Sequence, residues 1–224
     1  MKITLARAPT DGECAFVVER ARARGFNYPG ILRGRSDEDA RALTALLREA
    51  ARERDGGGAS AWVEDRTSTV IGVGEKVYRD ACEALRRWEQ FDLGWTSVSE
   101  RTGTATGDGV CVCARVAGVW MANPLQVVEL RKDGGKKTKG VKKRFALAHG
   151  TMEGHVLRGE ERFAIELGED GAVTYESYAF SAPGNAIGIL AYPIARVMQR
   201  RFHADSAKKM REIVGRVRDE GERK

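Results

Sequence analysis

Between Ser36 and Asp55 the apolar residues Ala40, Leu43, Leu46, Leu47 and Ala50 recur every three or four positions among charged neighbours. That is the period of a helix with one buried face. Ser36 stands ahead of the stripe as the expected N-cap, an acidic first turn follows, and Gly56 is the expected stop. The polar stretch "GGGASAWVEDRTS" then reads as a joint. "STVIGVG" reads as a short strand, and "EKVYRDACEALRRWEQF" as a second helix with Val77, Ala81, Leu85, Trp88 and Phe91 on its buried side. After "DLGW" the pattern changes to six β-prone runs, "WTSVSER", "GVCVCARV", "LQVVELR", "KRFALAHG", "ERFAIEL" and "AVTYESYAFS", separated by Gly, Asp and Lys. The chain then returns to helical spacing: Leu190, Ile194, Met198, Phe202, Met210, Ile213 and Val217 mark one side of a long final helix. Pro193 should mark the start of that helix or a kink in it.

Strand, helix, a meander of antiparallel strands and one long last helix make an α+β order, with helices against one face of a curved sheet. The expected division is an N-terminal extension with one helix over residues 1–66, a main domain over 67–217 and a polar tail over 218–224. A curved sheet wrapped around a helix leaves an apolar cavity between them, the kind of concave space that takes small ligands.

Alternation along the strands names the candidates. Phe145, Leu147 and His149 fall on one face of "RFALAHG", and Glu161, Phe163, Ile165 and Leu167 on one face of "EERFAIEL". With both apolar faces inward, His149 and Glu161 become polar groups at the lip of an apolar space, where desolvation suits a carboxyl group to acid/base work. The competing structural reading has Glu161 paired with an arginine and His149 capping a glycine-rich turn through Gly150, Gly154 and Gly159. No metal is expected: His149, His155 and Glu160 lack HExxH spacing, and His203 lies far along the last helix. No serine elbow is present, and neither Cys111 nor Cys113 has a base beside it. Gly74, in "GVGE", reads as a tight connection into a helix rather than a phosphate loop.

Composition narrows the classes. With 42% hydrophobic and 31% charged residues the chain reads as a globular protein, and no run approaches the roughly 20 apolar residues of a membrane span. "MKITLARAPTDGECAF" lacks the apolar core of a secretory signal, so an intracellular location is expected, cytoplasmic or peripheral to a membrane. Cys14, Cys82, Cys111 and Cys113 form neither a CxxC pair nor zinc spacing and read as reduced thiols. The net charge of +6 is concentrated in "RKDGGKKTKGVKKR", residues 131–144, where Lys136, Lys137, Lys139, Lys142 and Lys143 are candidate anion contacts. That loop could touch an anionic membrane or stay solvated; nucleic acid is disfavoured because no aromatic residue is interleaved for base stacking.

The segments "LRRWEQFDLGW", "VCVCARV", "PLQVVEL", "GTMEGHVLRGEERFAIEL" and "YAFSAP" occur in the order seen in Uncharacterised Protein Family 0548, a family of unknown function, which the chain resembles from about Phe26 to Met210. The element order also resembles the helix-grip superfamily of START lipid-transfer domains, polyketide cyclases and pathogenesis-related proteins. That likeness implies a hydrophobic ligand held beneath the C-terminal helix. The expected partner is thus a small hydrophobic molecule or lipid, bound without a cofactor, with Phe145, Leu147, Phe163, Ile165, Tyr175, Tyr192, Met198 and Phe202 as candidate walls. The alternatives are a cofactor-free cyclase- or hydrolase-like enzyme using Glu161 and His149, and a phosphate or membrane contact through the basic loop.

Overall fold

The structure is a computed structural model that describes residues 2–4, 7–55, 62–132 and 139–221. Its strands are β1 (Lys2–Thr4), β2 (Val63–Val73), β3 (Thr96–Ser97), β4 (Gly109–Val116), β5 (Val119–Lys132), β6 (Val141–Thr151), β7 (Leu157–Gly168) and β8 (Ala172–Pro183). They form one antiparallel sheet in the order β2-β8-β7-β6-β5-β4-β3, with β1 along one end of β5. Its helices are α1 (Asp11–Arg22), α2 (Ala40–Asp55), α3 (Glu75–Arg86) and α4 (Ala186–Gly221). Register shifts at Val70/Gly72, Val127/Glu129 and Val141/Lys143 bend the long strands, as β-bulges do. The curled sheet wraps around α4, which is the helix-grip arrangement.

Alternation sorts the sheet into two faces. Inward, Phe145, Leu147, Phe163, Ile165 and Tyr175 meet α3 and the C-terminal half of α4 in the main core. Outward, Tyr178 and Phe180 receive Leu43 and Leu47 of α2, while Cys111, Cys113 and Ala122 receive α1. The outer face also carries an ion-pair network under residues 36–39. Asp37 takes Arg144 at 2.6 Å, Arg162 at 2.9 Å and Arg131 at 3.2 Å, and Arg162 reaches on to Glu176. Removing one member of such a buried network costs roughly 3–5 kcal/mol, because its partners keep their charge.

Several elements depart from the periodicity. The segment before residue 66 holds two helices rather than one, and β1 besides. Thr10 and Glu13 form a capping box that starts α1. Asp39 rather than Ser36 caps α2, its carboxylate accepting from the Ala42 amide at 2.9 Å; the stop expected at Gly56 lies outside the described residues. Helix α3 ends at Arg86 because Trp88 turns left-handed (φ 60), and a short 3-10 turn then sets Phe91 against the sheet. The run "WTSVSER" yields only the two-residue β3. Pro193 lies inside α4, not at its start. The apolar stripe of α4 is buried from Phe202 to Val214, but Leu190 is 85% exposed and Ile194 53%; the Val217 side chain lies outside the description.

Candidate functional site

At one end of the sheet, the N-terminal half of α4 touches β2 and β8, with Arg196 on Asp65 and the Gln199 amide donating to the Ser181 hydroxyl at 3.1 Å, and stands off the strands beyond them. A cavity of about 310 Å³ lies in that gap. Val112, Met121 and Leu125 form one wall, and Ala191, Ala195, Met198 and Phe202 of α4 the other. Two glycines let the first turn of α4 sit on the β6–β7 connection. A Cβ at Gly188 would come within 2.1 Å of the Val156 carbonyl, and one at Gly184 within 3.0 Å of the His155 carbonyl. The connection is itself pinned from the outer face: Asn27 donates to the Leu157 carbonyl at 2.9 Å, and the Gly159 amide donates to the Thr151 hydroxyl at 2.9 Å. Gly159 adopts φ +141 with the Phe180 carbonyl where a side chain would go, so that point of the cavity floor is bare backbone.

The polar end is built by β6, β7 and α4. His149 and Glu161 are direct cross-strand partners, so both point inward, with His149 Nε2 at 3.7 Å from Glu161 Oε2. From α4, His203 Nε2 approaches the other carboxylate oxygen at 3.5 Å. Glu161 therefore stands between two imidazoles and lines the cavity. His149 is 2% exposed and enclosed by the rings of Trp88, Phe91 and Phe163. This desolvation lowers its pKa more than the Glu161 charge raises it, so the ring is neutral near pH 7. Among the described residues, neither of its nitrogens finds a hydrogen-bond partner, nor does His203 Nε2. His203 Nδ1 lies 3.4 Å from the Thr67 hydroxyl, which helps orient the ring. Buried polar atoms without partners are rare and call for a reason.

Neighbouring Glu160 faces the other way. It accepts from the Tyr28 hydroxyl at 2.7 Å and from the amides of Gly34 and Ser36 at 2.6 and 3.2 Å. Burial outweighs these donors and pushes its pKa up to about 7. Gly150 makes the contact possible, since a Cβ there would lie 2.1 Å from the Tyr28 hydroxyl oxygen. Glu160 thus holds the N-terminal segment to the sheet. His155 accepts the Leu157 amide at 3.0 Å and shapes the turn. Among the described residues no arginine pairs with Glu161; Arg162, one residue on, lies on the outer face and pairs with Asp37 and Glu176.

Two comparisons bear on ancestry. The family model described as Domain of unknown function (DUF1990) matches residues 47–209. A UPF0548 protein of Arabidopsis thaliana is 32% identical over 182 residues, covering 81% of this chain and 84% of its own length. The chain belongs to the UPF0548 family. A second member, from Dictyostelium discoideum, is 33% identical over 159 residues, 67% of this chain and 72% of its own. Among solved structures, TTHA0849 from Thermus thermophilus is similar at 14% identity and a TM-score of 0.48, covering 69% of this chain and 99% of its own.

In this UPF0548 chain the residues singled out by alternation are divided between two places. Met198 and Phe202 line the cavity, with Phe163 behind Phe202 at a ring separation of 6.0 Å. Phe145, Leu147, Ile165 and Tyr175 are buried in the main core, and the Tyr175 hydroxyl donates to Ser206 at 3.3 Å. Tyr192 is half-buried beside Arg196 and Asp65. In the basic segment, Lys142 and Lys143 pair with Glu75 at 3.3 and 2.7 Å, Lys139 is exposed, and Lys136 and Lys137 lie outside the described residues. Alternation did not find Gln199 and Asn123, which line the cavity, or His203, which stands beside Glu161. A signal for Gln199 and His203 exists: Gln199, His203 and Ser206 are polar residues spaced four and three apart on the inward side of α4. Among the described residues, no helix is long and apolar enough to cross a membrane.

Proposed function

We propose that this protein binds a small, largely apolar molecule carrying one polar group. Its apolar body lies against Met121, Met198 and Phe202, and its polar group meets Glu161 and His149, both of which line the cavity. The observation that carries this reading is an apolar space of about 310 Å³ that ends on Glu161, with His149 and His203 beside it at 3.7 and 3.5 Å. The volume is at the lower end of ligand pockets, and the pattern of apolar walls with few polar groups is the usual one. A ligand with a hydroxyl or carbonyl group would give a His149 nitrogen the partner that it lacks among the described residues. Native mass spectrometry of gently purified protein should show a retained small molecule. Ala195→Phe, which fills the cavity from α4, should abolish its retention while leaving the fold intact. Protein that stays empty from its natural source and against an apolar ligand library would overturn the reading.

The trio itself favours a second reading, general acid/base catalysis in the same cavity. Glu161 would accept a proton from a carbon or oxygen acid, and a neutral imidazole would donate to the oxygen that becomes charged. A generic carbon acid tests this without knowledge of the substrate. Base removal of the ring proton of 5-nitrobenzisoxazole opens it to a coloured phenolate, and Glu161→Gln should abolish any turnover. Equal rates with and without the carboxylate would reject catalysis and leave binding standing.

A further inference from the structure

We propose that Cys14, Cys111 and Cys113 form a three-sulfur site for monovalent copper between α1 and the outer face of the sheet. The site is independent of the cavity and lies on the opposite face. Cys111 and Cys113 are two apart on β4, so both project outward, and α1 lays Cys14 onto them. The sulfurs of Cys14 and Cys113 are 3.3 Å apart, and all three lie within 4.8 Å of one another. Gly109 permits this approach: a Cβ there would stand 2.3 Å from a Val18 methyl group and push α1 off the strand.

The geometry suits a metal held in the plane of the three sulfurs. Metal–thiolate bonds of about 2.3 Å place trigonal sulfurs about 4 Å apart, inside the observed spread. Among the described residues, no histidine, cysteine, aspartate or glutamate joins the group as a fourth ligand. Structural zinc is almost always four-coordinate, whereas a soft all-sulfur set selects monovalent copper and is at ease with three donors. A concave space of about 590 Å³ lined by Cys14, Cys111, Asp108 and Arg22 opens onto the sulfurs and gives an entry path. Binding replaces thiol protons with the metal and involves no electron transfer.

Full-length reduced protein, held without oxygen, should withdraw one equivalent of monovalent copper from the coloured chelator bicinchoninate. X-ray absorption of the product should show three sulfur neighbours at about 2.3 Å. Cys14→Ala and Cys113→Ala should each weaken retention by about tenfold or more, with circular dichroism unchanged. Cys82→Ser, on α3, should behave as the parent. If a cysteine variant fails to fold, the sulfur count on the parent protein still decides. No withdrawal of copper, fewer than three sulfurs, undiminished binding by Cys14→Ala, or tighter binding of zinc with a fourth oxygen ligand would overturn the site.

Discussion

The two halves of the space beneath α4 are built from the same strands and end differently. In one half Phe145, Leu147, Ile165 and Tyr175 meet α3 and the stretch of α4 from Phe202 to Val214, and every one of those strand residues is at most 1% exposed. In the other half the strands offer Thr151, Gly159 and Ser181 instead, α3 is absent, and the facing part of α4 carries Ala191, Ala195 and Met198. The small residues Thr151, Gly159 and Ser181 on the sheet and Ala191 and Ala195 on α4 leave the opening between the larger walls. The first half is packed core and the second holds the cavity, with Glu161 at their boundary.

Truncation should separate the halves most strongly. Leu147→Ala, in the filled half, should cost about 2–5 kcal/mol in urea unfolding. Met198→Ala, which only enlarges a wall of the open half, should cost less than about 1 kcal/mol. Equal costs would mean that the cavity wall is packed as tightly as the core.

The adjacent glutamates sharpen the same contrast. Glu160→Ala leaves the Tyr28 hydroxyl and the Gly34 and Ser36 amides without their acceptor, and should cost about 3 kcal/mol. Glu161→Gln should change stability by under about 1 kcal/mol, since among the described residues the carboxylate meets only the two imidazoles, at 3.7 and 3.5 Å. A large loss from Glu161→Gln would make it a structural residue and weaken both functional readings.

The smallest effects should appear as pH dependence. His149 titrates below its ordinary value of 6.5 in the fold, so the unfolded chain binds its proton first as pH falls. The stability associated with the neutral ring is complete above about 6.5 and is lost as pH drops through the lower folded value. Glu160 has the opposite sign. Its folded value is raised from 4.5 to about 7, so its contribution is complete below 4.5 and is lost as pH rises towards 7. His149→Phe should therefore flatten the acid limb of a stability profile measured from pH 7 to 5, and Glu160→Gln should flatten the loss on raising pH from 5 to 7. An acid limb unchanged by His149→Phe would show that the ring titrates alike in the folded and unfolded chain.

Much of this was legible in local pattern. The inward set Phe145, Leu147, His149 and the set Glu161, Phe163, Ile165 follow from alternation, and the pairing of His149 with Glu161 follows once β6 and β7 form a hairpin. The resemblance carried by "GTMEGHVLRGEERFAIEL" agrees with the family found. Less legible were the ends of elements, where Trp88 stops α3 and Asp39 displaces Ser36 as a cap, because both depend on distant partners: Thr102 for the Trp88 ring and Glu160 for the Ser36 amide.

The sequence alone determined which face of each strand and helix is apolar, because backbone geometry ties side-chain direction to spacing within a few residues. Only the tertiary structure decided that His203 approaches Glu161, that Arg162 finds Asp37, and that Cys14 meets Cys113 across 99 positions. Those choices depend on how separate elements pack and how much volume they fill, and spacing along the chain carries no record of either.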